Sequence, residues 1–404
     1  MSATNGSAAR TTTPNSGGTS SQQLQAQNAA ARRAILAVSQ NMAQSIQRAT
    51  IANPGSSNNV VNLEARPVGF LKRFWIEVVA TIQNNSLTND ISLTPWGPAN
   101  LFSNVQFIDL SNNTRVNCSG WFLHQVATAK RGRPYGSAFV NDGPVGYGSN
   151  YAVMSATPVI AAGGANTGTV RMIFELPITY SDTDFRGGIW LGVTGNTAQL
   201  QLTINPNPSA LTYAQGGDPV LAIYQGSADA TITSLTYNVY QNYLDQMPRG
   251  QNNQVILPIN DISTVYLLNT VVPPINLAPN TDIPIPYSNF RDFLSTSIIF
   301  DNGGQLNPGT DVVYWAIQAA NYVNMINVDP AIMALWTRNM IQDDMPVGSY
   351  YFSHRHKPIS VLQFGNQYLV LNASTVNAGA KLYVGYEMFA LVNLVAQAGA
   401  LTFG

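Results

Sequence analysis

Two stretches decide the reading of this chain. One is Val105-Gln106-Phe107-Ile108-Asp109, followed after Asn112-Asn113 by Gly120-Trp121-Phe122-Leu123-His124-Gln125. The other is Ile298-Ile299-Phe300-Asp301, followed after Asn302-Gly303-Gly304 by Val313-Tyr314-Trp315-Ala316-Ile317-Gln318. Each reads as strand, turn, strand and short helix. The two Asp stand 192 positions apart (301 − 109) and the two Trp 194 (315 − 121). Solenoids repeat at about 20–50 residues, so this spacing points to one whole domain copied and set beside itself. Leu235-Thr236-Tyr237-Asn238-Val239-Tyr240 and Lys381-Leu382-Tyr383-Val384-Gly385-Tyr386 rhyme as the closing strands of the two copies. Their shorter separation, 146 (383 − 237), places extra loop residues in the first copy, within 131–169.

Outward from these blocks the pattern is β. Phe74 to Ile82 alternates, with Phe74, Ile76, Val78 and Ala80 on one face. Val170 to Ile178, Ala230 to Tyr243, Val255 to Leu268 and Ser349 to Leu371 read similarly. Turn signals separate them: Asn84-Asn85, Asn112-Asn113, Asn141-Asp142-Gly143, Gly163-Gly164 and Asn302-Gly303-Gly304. Short strands with polar, Gly- and Pro-bearing loops suggest sandwiches or jelly rolls. Helices are expected at Gly120 to Lys130, at Val313 to Ala320, and at Asp329 to Met340, where Pro330 takes a favourable early position. The polar run 245–253 reads as the seam between copies. The Pro-rich stretch from Val272 to Pro286 reads as a loop, with at most an edge strand. The expected fold is all-β: two tandem eight-stranded jelly rolls with a few short helices and an N-terminal amphipathic helix. Its parts are a polar tail (1–20), a helical arm (21–50), a first roll (65–245), a second roll (254–390) and a C-terminal tail (391–404).

Charged residues are 10% of the 404, against about 25% in an average soluble domain. Net charge is −1, and a near-neutral surface promotes association. The single Cys118 rules out an intrachain disulfide framework. The N-terminus lacks the apolar core of a secretory signal. No stretch offers the ~18 uninterrupted apolar residues of a membrane span.

Residues 1–20 are too polar to offset the entropy of ordering. From 21 the chain turns Gln- and Ala-rich, and Leu24, Ala31, Ile35, Val38, Met42 and Ile46 recur at mostly three- and four-residue steps, as on one helical stripe. Arg10, Arg32, Arg33 and Arg48 all precede the first acid, Glu64. Arg32, Arg33, Ile35, Met42 and Arg48 are therefore the candidate contact residues. Two readings stay open: a basic amphipathic helix on an anionic membrane, or a helix packed on the protein body or a neighbouring subunit. Three Arg near lipid contribute roughly 3 kcal/mol, useful only when many copies act in an array.

Catalytic motifs are missing. The chain has no Gly-Lys-Ser or Gly-Lys-Thr phosphate loop, and Gly143, Gly146 and Gly148 precede no apolar helix. His354 and His356 share one strand face beside Arg355 and Lys357. They read as a pH-responsive contact or, more plainly, as a solvated or interface strand end. Two His without a third ligand make a poor zinc site. Asp182 and Asp184 read as a cation site or, more plainly, as a turn. Lys130-Arg131-Gly132-Arg133-Pro134 is the densest basic patch and lacks the interleaved aromatics of a single-strand groove. No catalytic residue, cofactor or metal is expected.

One set of strings is more specific. It comprises Leu93-Thr94-Pro95-Trp96-Gly97-Pro98-Ala99-Asn100-Leu101, Ser119 to His124, Ala222-Ile223-Tyr224-Gln225-Gly226 and Tyr240-Gln241-Asn242-Tyr243-Leu244-Asp245-Gln246. It continues through Phe300-Asp301-Asn302-Gly303-Gly304, Gly309-Thr310-Asp311 and Lys357-Pro358-Ile359. In this order they resemble the major capsid proteins of tectiviruses, icosahedral bacterial viruses with a membrane inside the shell. The resemblance implies two jelly rolls per chain and a homotrimer tiling as a near-hexagon around an internal membrane and double-stranded DNA. It places the arm, Leu24 to Arg48, and residues 391–404 toward that membrane. The implied partners are the chain itself, penton and minor capsid proteins and the internal viral membrane, with no sequence-specific nucleic acid. The implied location is the virion capsid, assembled in the bacterial cytoplasm. Two alternatives are carried: a two-domain jelly-roll carbohydrate-active enzyme or lectin, with Trp96, Trp121 and Trp190 as sugar platforms, and a minor vertex protein of the same virion.

Overall fold

The computed structural model describes residues 41–54, 59–131, 154–182, 184–191, 197–205, 208–211, 215, 217–245, 264–287, 291–302, 312–319, 324–341, 346, 348–354, 359–360 and 367–391. Among them sixteen strands have five or more residues, eight in each half of the chain. The first eight are β1 (Asn41–Ala52), β2 (Asn59–Glu64), β3 (Phe70–Asn84), β4 (Phe102–Ile108), β5 (Thr114–Cys118), β6 (Asn166–Pro177), β7 (Gln199–Ile204) and β8 (Ala230–Leu244). Helix α1 (Gly120–Arg131) lies between β5 and β6. The second eight are β9 (Thr264–Thr270), β10 (Asp282–Tyr287), β11 (Arg291–Asp301), β12 (Val312–Ala319), β13 (Asn324–Val328), β14 (Ser349–Ser353), β15 (Gln367–Ala373) and β16 (Lys381–Leu391). Helix α2 (Pro330–Ile341) lies between β13 and β14.

The two halves match strand for strand. The order β1-β8-β3-β6 in the first is answered by β9-β16-β11-β14 in the second, and β2-β7-β4-β5 by β10-β15-β12-β13. Each half is thus a two-sheet, eight-stranded roll with one helix after its fifth strand. The rolls are also fused edge to edge: β5 pairs in parallel with β9 through Val116–Leu268 and Asn117–Asn269. One sheet therefore runs β2-β7-β4-β5-β9-β16-β11-β14 across both.

Side-chain period builds the sheets. On β3, Phe74, Ile76, Val78, Ala80 and Ile82 are fully buried, while Arg73, Trp75, Glu77, Val79 and Thr81 between them are half-buried. That alternation covers one face and leaves the other available. β16 behaves differently. Leu382, Val384, Tyr386, Met388 and Ala390 fill the second roll's own core, while Tyr383 and Phe389, on the opposite face, join the first roll's core. A strand buried on both faces reads as a continuous apolar run.

The duplication is real, but its sequence reading is one strand out of register. Val313–Ala320, expected as a helix, is β12, because a Val-Val-Tyr-Trp-Ala-Ile run with no capping residue favours a pleated, paired strand. The counterpart of α1 is α2. They begin at Gly120 and Pro330, an offset of 210 (330 − 120). Asp329 caps α2: its Oδ1 accepts the Ala331 N–H at 2.8 Å. The closing strands β8 and β16 fall where they are expected. Asn112, at φ 65, makes the turn between β4 and β5, where the Asp109 carboxylate accepts the N–H groups of Ser111 and Asn113. The Pro-rich stretch contains β10, the outer strand of its sheet, as Pro284 and Pro286 require.

The helical arm needs a second correction. Residues 41–50, expected as its last turns, belong instead to β1, paired antiparallel with β8 from Asn41–Leu244 to Ala52–Ser234. Helix propensity is a weak prior there. The long edge of β8 offers a full ladder of backbone partners, reinforced by Ser45 to Asn238 (2.8 Å) and Thr50 with Thr236 (2.9 Å).

Candidate assembly interface

The densest chemistry in the molecule lies where the rolls meet. α1 is buried from Gly120 to Ala129 because it is wedged between β6 of its own roll and the outer face of β9-β16-β11-β14. Trp121, Phe122 and Val126 pack there with Tyr266, Leu268, Ile299, Tyr351, Tyr383 and Phe389 of the second roll. Gly385 on β16 makes the approach possible: a Cβ there would lie 2.2 Å from the Phe122 ring. Gln125 Nε2 donates to the Tyr350 carbonyl across the seam (3.3 Å).

At the C-terminal end of α1 the contact becomes ionic. Lys130 Nζ lies 3.1 Å from Oε1 of Glu387, whose side chain is wholly buried. The ammonium also donates to the Tyr180 carbonyl (2.8 Å) and the Tyr266 hydroxyl (2.5 Å), and sits 4.0 Å from the Tyr266 ring centre. Glu387 accepts from Tyr266 (2.7 Å) and Ser295 (2.6 Å). Tyr180, Tyr266 and Phe389 close the site as ring neighbours 5.2–5.9 Å apart, with Arg186 4.0 Å over Phe389. A buried charge is tolerable when paired and fully hydrogen-bonded, and this one is served from both rolls. Nearby, Tyr383 donates to Asp218 of the first roll (2.7 Å). Burial, then the Asp218 charge, push that phenol well above its ordinary pKa.

This arrangement holds two rolls rigidly and presents no reactive group. Cys118 is buried in β5, and desolvation pushes its thiol far up, away from a nucleophilic thiolate. Trp96 and Trp121 are core residues packed edge to face at 6.2 Å, not open sugar platforms. Trp190 is half-buried against Phe70, Phe185 and Leu244. Asp182 pairs with Lys72 and Arg73, and Asp184 with Arg186. His354, just past β14, is half-buried, and desolvation of its ring lowers its pKa to about 4. His356, Gly143, Gly146, Gly148 and Arg133 lie outside the described residues.

Of the arm residues, Met42 (40% exposed) and Arg48 stand exposed on β1. Arg32, Arg33 and Ile35 lie outside the described residues. The seam residues Glu387, Tyr266 and Gly385 escaped the sequence reading. Their one local signal is a lone acid and a lone Gly inside the apolar run Tyr383 to Phe389.

The chain has relatives among known proteins. Family models described as P3 major capsid protein N-terminal and C-terminal match residues 10–247 and 263–402. The Major capsid protein P3 of Enterobacteria phage PRD1 is 40% identical over 383 residues, covering 94% of this chain and 95% of that protein. The chain belongs to the P3 major capsid protein family. Among solved structures it is similar to a chain of the Sulfolobus Turreted Icosahedral Virus, with TM-score 0.61, 13% identity and coverage of 90% of this chain and 94% of that one. It is also similar to PBCV-1 VP54 fitted into the virophage Sputnik, with TM-score 0.52, 12% identity and coverage of 87% and 94%. These two likenesses concern the fold. As a P3-family protein the chain is a structural component of a virion shell, associating with itself and other capsid components, and not an enzyme. Among the described residues no helix is long and apolar enough to cross a membrane.

Proposed function

We propose that the chain is the main building block of the shell: a homotrimer of six rolls forming a nearly hexagonal tile, laid around an internal membrane and a double-stranded DNA genome. The observation that carries this reading is 40% identity, over nearly the whole chain, to a phage major capsid protein. The double roll fits the mechanics. Rolls leave few free sheet edges, and the sheet shared between them makes each chain a stiff two-roll plate. Threefold association then removes further apolar surface from water.

In this reading penton and minor capsid proteins are the neighbours at special positions, and assembly takes place in the bacterial cytoplasm. The arm faces the membrane or a neighbouring trimer through Arg32, Arg33, Ile35, Met42 and Arg48. The place of β1 at a sheet edge favours the neighbour for Met42 and Arg48. The test is chain stoichiometry in purified particles together with density of the shell. Hundreds of copies arranged as trimers on the faces support the reading; a few copies confined to the vertices make the chain a minor protein and overturn it.

A further inference from the structure

The face of the second roll's sheet that meets α1 is chemically divided. Its directly opposed residues form three rows across β16, β11 and β14: Glu387, Ser295 and Ser353; Gly385, Ser297 and Tyr351; Tyr383, Ile299 and Ser349. Tyr383, Ile299 and Tyr351 belong to the core shared with α1, so all three rows face the joint, while Ile298, Tyr350 and Val384 between them fill the second roll's own core. The β16 side of this face is paired. Ser295 donates to Glu387 (2.6 Å), and the Phe122 ring rests against Gly385. The β11–β14 side is different. Ser297 is fully buried and Ser349 is 7% exposed, yet among the described residues neither hydroxyl reaches a protein partner. The hydroxyl of Ser353, on the same face, is buried without one as well.

A buried hydroxyl gives up its hydration on folding, and leaving it bare costs more than a typical hydrogen bond returns. Buried side-chain polar atoms are therefore met by protein or by ordered water. The sheet itself cannot meet these three. Ser349 and Ser353 are the diagonal neighbours of Ser297 on β14, and diagonal positions stand about 7–8 Å apart. Direct hydroxyl contact needs about 2.5–3.0 Å, so the spacing fits one small molecule set between each pair. The surroundings agree. Ser297 is a short side chain between two bulkier neighbours, the Phe122 ring seated on Gly385 and Tyr351 on β14. α1 touches β11 and sends Gln125 to the Tyr350 carbonyl (3.3 Å). α2 covers the β14 side, where Thr337 Oγ1 accepts the Tyr351 N–H (3.0 Å).

We propose that the joint between the rolls encloses a structural water site beneath α1, in which one ordered water bridges Ser297 to Ser349 and a second bridges Ser297 to Ser353. The chemistry selects water. A hydroxyl both donates and accepts, which suits a small neutral ligand with the same capacity. The nearby carboxylate, Glu387, already has its counter-charge in Lys130, so the site carries no net charge to hold an ion. Buried waters serve polar groups that the protein leaves unmatched. The joint is then ionic along β16 and hydrated along β11 and β14. On the hydrated side α1 is held to the sheet through water, which adapts where side chains do not fit one another. The inference concerns a single chain and does not depend on the homotrimer reading.

The test uses the full chain as native, Ser297→Ala and Ser349→Ala. Crystals that diffract well enough to show ordered solvent give the occupancy. Native crystals are expected to show water density within about 2.5–3.0 Å of the Ser297 Oγ, and Ser297→Ala crystals to lose it. Urea unfolding gives the sign of the energy. A hydrated hydroxyl is a made hydrogen bond, so each alanine variant is expected to lower the midpoint. A bare hydroxyl predicts the reverse, because alanine removes a desolvated polar group, and a raised midpoint overturns the inference. Native density with no water at Ser297 and its hydroxyl turned onto a main-chain carbonyl also overturns it. So does density too strong for oxygen, which makes the ligand an ion. The native crystal decides occupancy by itself, so a variant that fails to fold does not shield the inference.

Discussion

Neutralising Glu387 with Glu387→Gln probes the joint between the rolls. The carboxylate is wholly buried and is met by Lys130 at 3.1 Å, Tyr266 at 2.7 Å and Ser295 at 2.6 Å. Gln keeps the volume but has one acceptor oxygen where the carboxylate has two, so the charge is lost together with one of the two hydroxyl contacts, Tyr266 on Oε1 or Ser295 on Oε2. Lys130, with its side chain 16% exposed, is left without its counter-charge. Breaking one side of a buried ion pair costs about 3–5 kcal/mol, and the partial exposure of Lys130 puts this case near the lower figure. Lys130→Met strands the carboxylate instead, and full burial puts that variant near the upper one. Lys130→Met/Glu387→Gln removes both charges and leaves one hydroxyl short of an acceptor, at about 1–3 kcal/mol. The double variant is therefore expected to be no worse than either single one, with a coupling of at least ~2 kcal/mol. Equilibrium urea unfolding of all four proteins, read by intrinsic fluorescence, gives the cycle. Single effects below ~0.5 kcal/mol, or effects that simply add, refute the claim that this pair locks the joint.

Gly385→Ala brings a methyl to 2.2 Å from the Phe122 ring. Overpacking of this kind costs about 1–3 kcal/mol, and Phe122→Leu in the same chain should restore most of the lost urea midpoint; no rescue places the clash elsewhere. The folded-state pKa of His354 is lowered to about 4 from an unfolded value of 6.5. The unfolded chain therefore takes up a proton first as pH falls, and the stability held above pH 6.5 is lost progressively down to pH 4, by about 3 kcal/mol. His354→Gln should flatten that slope in pH-dependent unfolding, and an unchanged slope removes His354 as its source. Deleting residues 1–40 should leave the trimer intact by sedimentation. Deleting 1–52 uncovers the β8 edge and should weaken it, and equal behaviour of the two truncations denies β1 a role.

Much of the fold was legible because its cause is local. The alternation from Phe74 to Ile82 states which face of β3 is buried. Asp329-Pro330 announces the start of α2, and Asn112 marks its turn through a left-handed backbone. The errors came where tertiary pairing overrides propensity. The Gln- and Ala-bearing stretch 41–50 reads as helix, yet β8 offers it a ladder. Val312–Ala319 sits in a block that mimics the α1 block, although its β-branched and aromatic residues belong in β12. The joint was invisible for a different reason. Lys130 and Glu387 are hundreds of positions apart and meet only because β5 and β9 fuse two sheets. α1 could be placed as a helix, but nothing local says that both its faces are covered.

The central claim is that this two-roll plate assembles with two others into a tile. The mass of the purified native protein in solution, measured by sedimentation equilibrium across a range of concentrations, tests it most directly. The account predicts one species at three times the 43.5 kDa chain mass. A persistent 43.5 kDa monomer or a twofold dimer at every concentration contradicts it.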